Sequence, residues 1–105
     1  MMGFKIDQAL EDMTGAVASV VSNDWPGIKS CVEKALQDEK DALKEIVDAH
    51  EAGDLTDEDL ESQLEDEKLA LESALLACQV KTKVMAQNAA NAAINALTAA
   101  IKLAI

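Results

Sequence analysis

Apolar residues recur along this chain at the spacing of one helical face. Ile6, Leu10, Met13, Val17 and Val20 follow a 4-3-4-3 spacing, which predicts a first helix over about 4–22. The polar run Ser22-Asn23-Asp24, followed by Trp25-Pro26-Gly27, interrupts it. Asp24 suits an N-cap, and Pro26 suits the opening turn of a helix, where a missing N–H costs least. A second helix is predicted over about 25–51, with Ile28, Val32, Leu36, Leu43 and Ile46 on its inner face. Gly53 has the position of a C′ residue, and Thr56 to Asp59 resembles a capping box. Beyond Gly53 there is neither glycine nor proline, so one helix is predicted over about 57–104. At 1.5 Å per residue it would be roughly 70 Å long. No segment alternates with the period of a strand, and the fold class expected is all-α.

A long antiparallel hairpin follows when residues whose numbers add up to 107 are paired. Leu43 then meets Leu64, Leu36 meets Leu71 and Val32 meets Leu75. The register continues past Pro26, with Val17 against Ala90, Met13 against Ile94, Leu10 against Leu97 and Ile6 against Ile101. The third helix loses its apolar phase across 80–88, opposite Pro26, which predicts a kink shared by both rods. Trp25 is expected to plug that kink. Beyond it, polar residues shrink to the line Asn88, Asn91, Asn95, Thr98 and Lys102, either a solvated strip or a buried amide ladder. So greasy a helix needs partners on more than one side. The expectation is a dimer, two hairpins forming a four-helix-type bundle, with Ala89, Ala93, Ile94, Leu97, Ala100 and Ile101 at the interface.

Charge changes the picture at the other end. The 105 residues carry 20 acids against 9 lysines and no arginine, a formal charge of −11. That balance argues against nucleic acid as a partner. Residues 37–72 hold 15 of the acids and three lysines, so the hairpin tip is an acidic knob. It is a solvated face, or a docking surface for a basic protein or for divalent cations. Asp7, Glu11 and Asp12 do not fit the basic start of a secretory signal. The amides of the apolar run 84–101 oppose membrane insertion. The expected location is cytoplasmic, without membrane association.

Candidate chemistry is sparse. Cys31 and Cys78 come near one another in the hairpin register and read as two small buried hydrophobes, a disulfide being the alternative. Glu39 and Glu67 occupy apolar-stripe slots and face one another. Carboxylates on facing helices hold metal in di-iron bundles, but no Glu-x-x-His accompanies these two. Ion pairing with Lys40 and Lys68 is the structural alternative. The segment from Asp48 to Asp59 has an EF-hand outline, yet His50 and Ala52 stand where two ligands belong, so a capped turn is preferred. His50 is expected to be exposed or capping. No catalytic residues and no cofactor are assigned. The reading is a non-enzymatic, self-associating structural or protein-interaction module. A metal-binding carboxylate bundle is the first alternative, and a peripheral binder of lipid or other apolar surfaces the second.

Overall fold

The structure, a computed structural model, describes residues 5–104. Phe4, within the span of the expected first helix, lies outside the described residues. The helices are α1 (Ile6–Val21), α2 (Trp25–Asp38), α3 (Lys40–Glu51), α4 (Asp57–Ala77) and α5 (Lys83–Ala104), with a 3-10 turn at Ser22–Asp24. No strand occurs among the described residues. Because a single residue, Glu39, separates α2 from α3, the two act as one interrupted rod, and four rods pack together.

The chain turns back three times. α1 lies against α2 and α3, with Asp7 paired to Lys40 of α3 at 2.8 Å. α4 returns along α2 and α3, and α5 returns along α4 to cover α1. The helix pair α1–α5 shares the largest contact of the bundle. Met13, Leu36, Leu43, Leu71 and Ile94 surround one small cavity, so α1, α2, α3, α4 and α5 all reach the same part of the core. Val17, Val32, Leu75 and Leu97 are fully buried. The bundle measures 39 × 25 × 19 Å.

The third helix is therefore not the single rod of 57–104 that its composition suggests. It stops at Ala77, and α5 starts at Lys83. The stop is made by Gln79, whose φ of 68° puts it in the left-handed region. Gln79 N–H donates to the Leu76 carbonyl at 3.0 Å and Val80 N–H to the Leu75 carbonyl at 3.3 Å. These are the two bonds of a Schellman ending, with glutamine where glycine usually stands. Val80, buried like Leu75, supplies the accompanying apolar residue. Thr82 then caps α5, its hydroxyl accepting from Met85 N–H at 3.0 Å.

The kink expected at Pro26 is corrected in the same way. Pro26 sits in the first turn of α2, where it breaks no hydrogen bond, and the chain reverses just before it, at Ser22 with φ 50°. Asp24 makes no side-chain cap; it pairs instead with Lys81 of the second reversal, at 3.3 Å. Trp25 packs half-buried against the core. The interruption of the expected 25–51 helix falls at Glu39. Thr56 and Asp59 do form a reciprocal capping box, and Gly53, at φ 84°, ends α3 in a second Schellman turn.

Folding back gives the apolar carboxy-terminal half its partners within one chain. Ala89, Ala93 and Leu97 are 0% exposed, Ile94 and Ile101 are buried, and Ala100 is half-buried. The face expected to meet a second copy is filled by the chain's own helices. Asn88, Asn91 and Asn95 are exposed, which makes them a solvated strip.

Candidate functional site

The small side chains on α5 and the stripe of Leu60 and Leu64 on α4 leave an open groove along the outside of this helix pair. Its wider part, ≈ 520 Å³, has Leu60, Leu64, Ile94 and Ile101 as its floor. Asp57, Glu61 and Glu65 rim it from α4; Asn95, Thr98 and Lys102 rim it from α5; His50 closes its end. A second depression of ≈ 260 Å³ shares Glu65 and continues between Lys68, Leu69, Glu72, Gln87 and Asn91.

Three exposed apolar side chains extend this face towards the elbow. Leu69 is 55% exposed, Leu76, seven residues on, 39%, and Val84 on α5 64%. Leu69 and Leu76 fall outside the Leu60, Leu64, Leu71 and Leu75 stripe that enters the core, so α4 is apolar on two faces. That second face was legible in the sequence as two leucines out of phase with the inner stripe. The acids of α4 were legible too, but the return of α5 that makes a groove beside them was not.

His50 bridges the α3–α4 turn, its Nε2 lying 2.8 Å from Asp57 Oδ1. With its side chain 13% exposed, it is neither the freely exposed residue expected nor a helix cap. The segment from Asp48 to Asp59 is the end of α3, a Schellman turn and a capped α4, as the alternative to an EF-hand loop requires.

Glu39 and Glu67 do meet. Both are half-buried, and both border the small cavity lined by Met13, Leu36, Leu43, Leu71 and Ile94. Glu67 Oε2 is shielded from solvent and has no hydrogen-bond donor among the described residues. Burial first, then a hydrogen bond and charge repulsion from Glu39, and last the charge of Asp66, push the Glu67 carboxyl up to about 7. The lysines expected to neutralise the pair are engaged elsewhere, Lys40 with Asp7 at 2.8 Å and Lys68 with Glu65 at 2.7 Å. Among the described residues no group of three or more His, Cys, Asp or Glu side chains is gathered as a metal site.

Cys31 and Cys78 form a disulfide that ties α2 to the end of α4, with Cα atoms 5.7 Å apart. Cys78 is buried, but Cys31 is exposed, so the reading of two small core hydrophobes is replaced by a surface staple. Comparisons with protein families, with characterised proteins and with solved structures find no match to this chain. None of the described helices is long and apolar enough to cross a membrane.

Proposed function

We infer that the chain is a non-enzymatic interaction module that receives a basic amphipathic helix of another protein in the α4–α5 groove. The observation carrying this reading is one elongated groove with an apolar floor and a rim in which Asp57, Glu61, Glu65 and Glu72 outnumber Lys68 and Lys102. Helix-in-groove recognition uses such a floor for the apolar face of the incoming helix, while rim charges select and steer it. Glu61, Glu65 and Glu72 supply the negative rim, and Leu69, Leu76 and Val84 lengthen the apolar track. From Asp57 to Leu76 the track runs about 28 Å along α4, enough for five turns of a partner helix.

Self-association through Ala89, Ala93 and their neighbours has less support, because those side chains already pack inside the chain. The cytoplasmic location expected from the amino-terminal segment also loses support, since a disulfide such as Cys31–Cys78 persists in oxidising surroundings.

The test uses two synthetic helical peptides, one with a leucine face and a lysine face, the other with glutamate in place of lysine. The lysine peptide should bind, shifting the backbone NMR signals of Leu69, Leu76 and Val84. Glu61→Lys combined with Glu65→Lys should weaken it roughly tenfold. Equal binding of both peptides, no binding of the lysine peptide, or signal changes away from α4 and α5 would each refute the reading.

A further inference from the structure

The two elbows at which the chain doubles back share three properties. They lie side by side, since Asp24 of one and Lys81 of the other meet at 3.3 Å. Both are short: Ser22–Asp24 joins α1 to α2, and residues 78–82 join α4 to α5. Each also turns on an L side chain held at positive φ, Ser22 at 50° and Gln79 at 68°. Among the described residues these are the only non-glycine positions with that geometry. Such angles are strained for residues with a Cβ. The turn between α3 and α4 avoids the strain by placing Gly53 at its positive-φ position.

Helix pairing adds a second, independent observation. Each rod of the bundle packs on two neighbours, and the division that leaves both elbows between the halves puts α1 with α5 and the α2–α3 rod with α4. The register read from the sequence, residues adding up to 107, fits both, since Leu36, Leu71, Met13 and Ile94 border the same cavity. If both elbows straighten, α1 runs on into α2 and α4 into α5, and neither pairing has to change. What is lost is the packing of one pair on the other. A second copy opened in the same way can restore it.

We propose that two copies of this chain exchange halves, each opening at its two adjacent strained elbows and docking its α1–α5 pair on the other copy's α2–α3–α4 unit. The contacts between the two pairs are then remade between chains, those within each pair stay within one chain, and at the elbows the strain of Ser22 and Gln79 is released. Short strained hinges are a recognised route to such exchange. The stretch Gln79-Val80-Lys81-Thr82 contains neither glycine nor proline and can continue a helix. Pro26 keeps a bend in the other rod, because it has no N–H for the Ser22 carbonyl. The Cys31–Cys78 disulfide joins α2 to α4 within one half, so it remains intact in both forms. In the exchanged dimer the α4–α5 groove is rebuilt between α4 of one chain and α5 of the other.

The Asp7–Lys40 ion pair, 2.8 Å long, provides the test, because it joins the two halves that exchange. Light and ¹⁵N-labelled oxidised chains are mixed, unfolded, refolded at high concentration and separated by size exclusion with light scattering. Each fraction is then cross-linked with a zero-length carbodiimide reagent. The dimer fraction should contain Asp7–Lys40 links between a light and a heavy chain, and the monomer fraction only links within one chain. Gln79→Gly, which relieves the strain of the closed form, should lower the dimer fraction roughly tenfold or more. A chain that stays monomeric at every concentration overturns the proposal. So does a dimer carrying only same-isotope links, or a dimer fraction unmoved by Gln79→Gly.

Discussion

Lys81 Nζ lies 3.3 Å from Asp24 Oδ1, so one ion pair spans the two reversals that fold this chain in half. The Lys81 side chain is 71% exposed, and an exposed pair contributes little after solvent screening. Lys81→Ala is expected to cost less than about 1 kcal/mol in urea unfolding. The elbows are held in place by the apolar groups under them, among them Val21, Val80 and Cys78, which are buried.

The Cys31–Cys78 disulfide is expected to contribute far more. It closes a loop with a sequence separation of 47, and constraint of the unfolded chain by a loop of that size is worth about 2–4 kcal/mol. The Cys31→Ser, Cys78→Ser double variant should keep its helical circular dichroism and lose that much stability. A midpoint in urea equal to that of the parent would show that the bond constrains nothing.

Glycines at two kinds of position should respond with opposite signs. Gly15 lies in the middle of α1, and a Cβ there meets nothing within 4 Å. Gly15→Ala should therefore stabilise the fold by about 0.5–1 kcal/mol. Gly53 also has open space around it, but its φ is 84°. Gly53→Ala should destabilise by about 1 kcal/mol through backbone strain alone. Thermal melts of the two variants check both signs.

Much of the helix pairing was legible in the sequence, and the physical reason for the rest is specific. Leu36 with Leu71 and Met13 with Ile94 follow from helical periodicity and one register. So does the meeting of Glu39 with Glu67. Thr56 and Gly53 mark the α3–α4 turn because capping threonine and positive-φ glycine carry sequence signatures. Gln79 carries none: a glutamine in the left-handed region is stabilised by Val80 packing over the helix end, which is a tertiary effect. The loss of apolar phase across 80–88 was the visible trace of that reversal. It has the same appearance for a bend in a long rod, and it is the long rod that predicts a dimer.

Ala93 separates a core role from an interface role. It is 0% exposed on α5. Enlarging a packed core position costs about 1–3 kcal/mol. Ala93→Leu should therefore lower the stability of the isolated monomer, measured at dilute concentration. If Ala93 served only contact between chains, that dilute stability would be unchanged.

Glu67 should make stability depend on pH near neutrality. Its ordinary value of 4.5 applies to the unfolded chain, while in the fold it is pushed up to about 7. Between those values the folded form retains a proton that the unfolded form has released, so stability falls as pH rises. The contribution is fully present below about pH 4.5 and is lost as pH passes through about 7. Glu67→Gln preserves a donor towards Glu39 and removes the titration. The variant should match the parent near pH 4.5 and exceed it at pH 8 by on the order of 1 kcal/mol, the carboxyl being only partly shielded from water. Glu39→Gln removes the repulsion and should flatten the slope of the parent without abolishing it, because burial of Glu67 is the larger cause. Urea unfolding of the three proteins at both pH values decides the matter: an advantage of Glu67→Gln that is equal at pH 4.5 and pH 8 would mean that the fold does not raise Glu67.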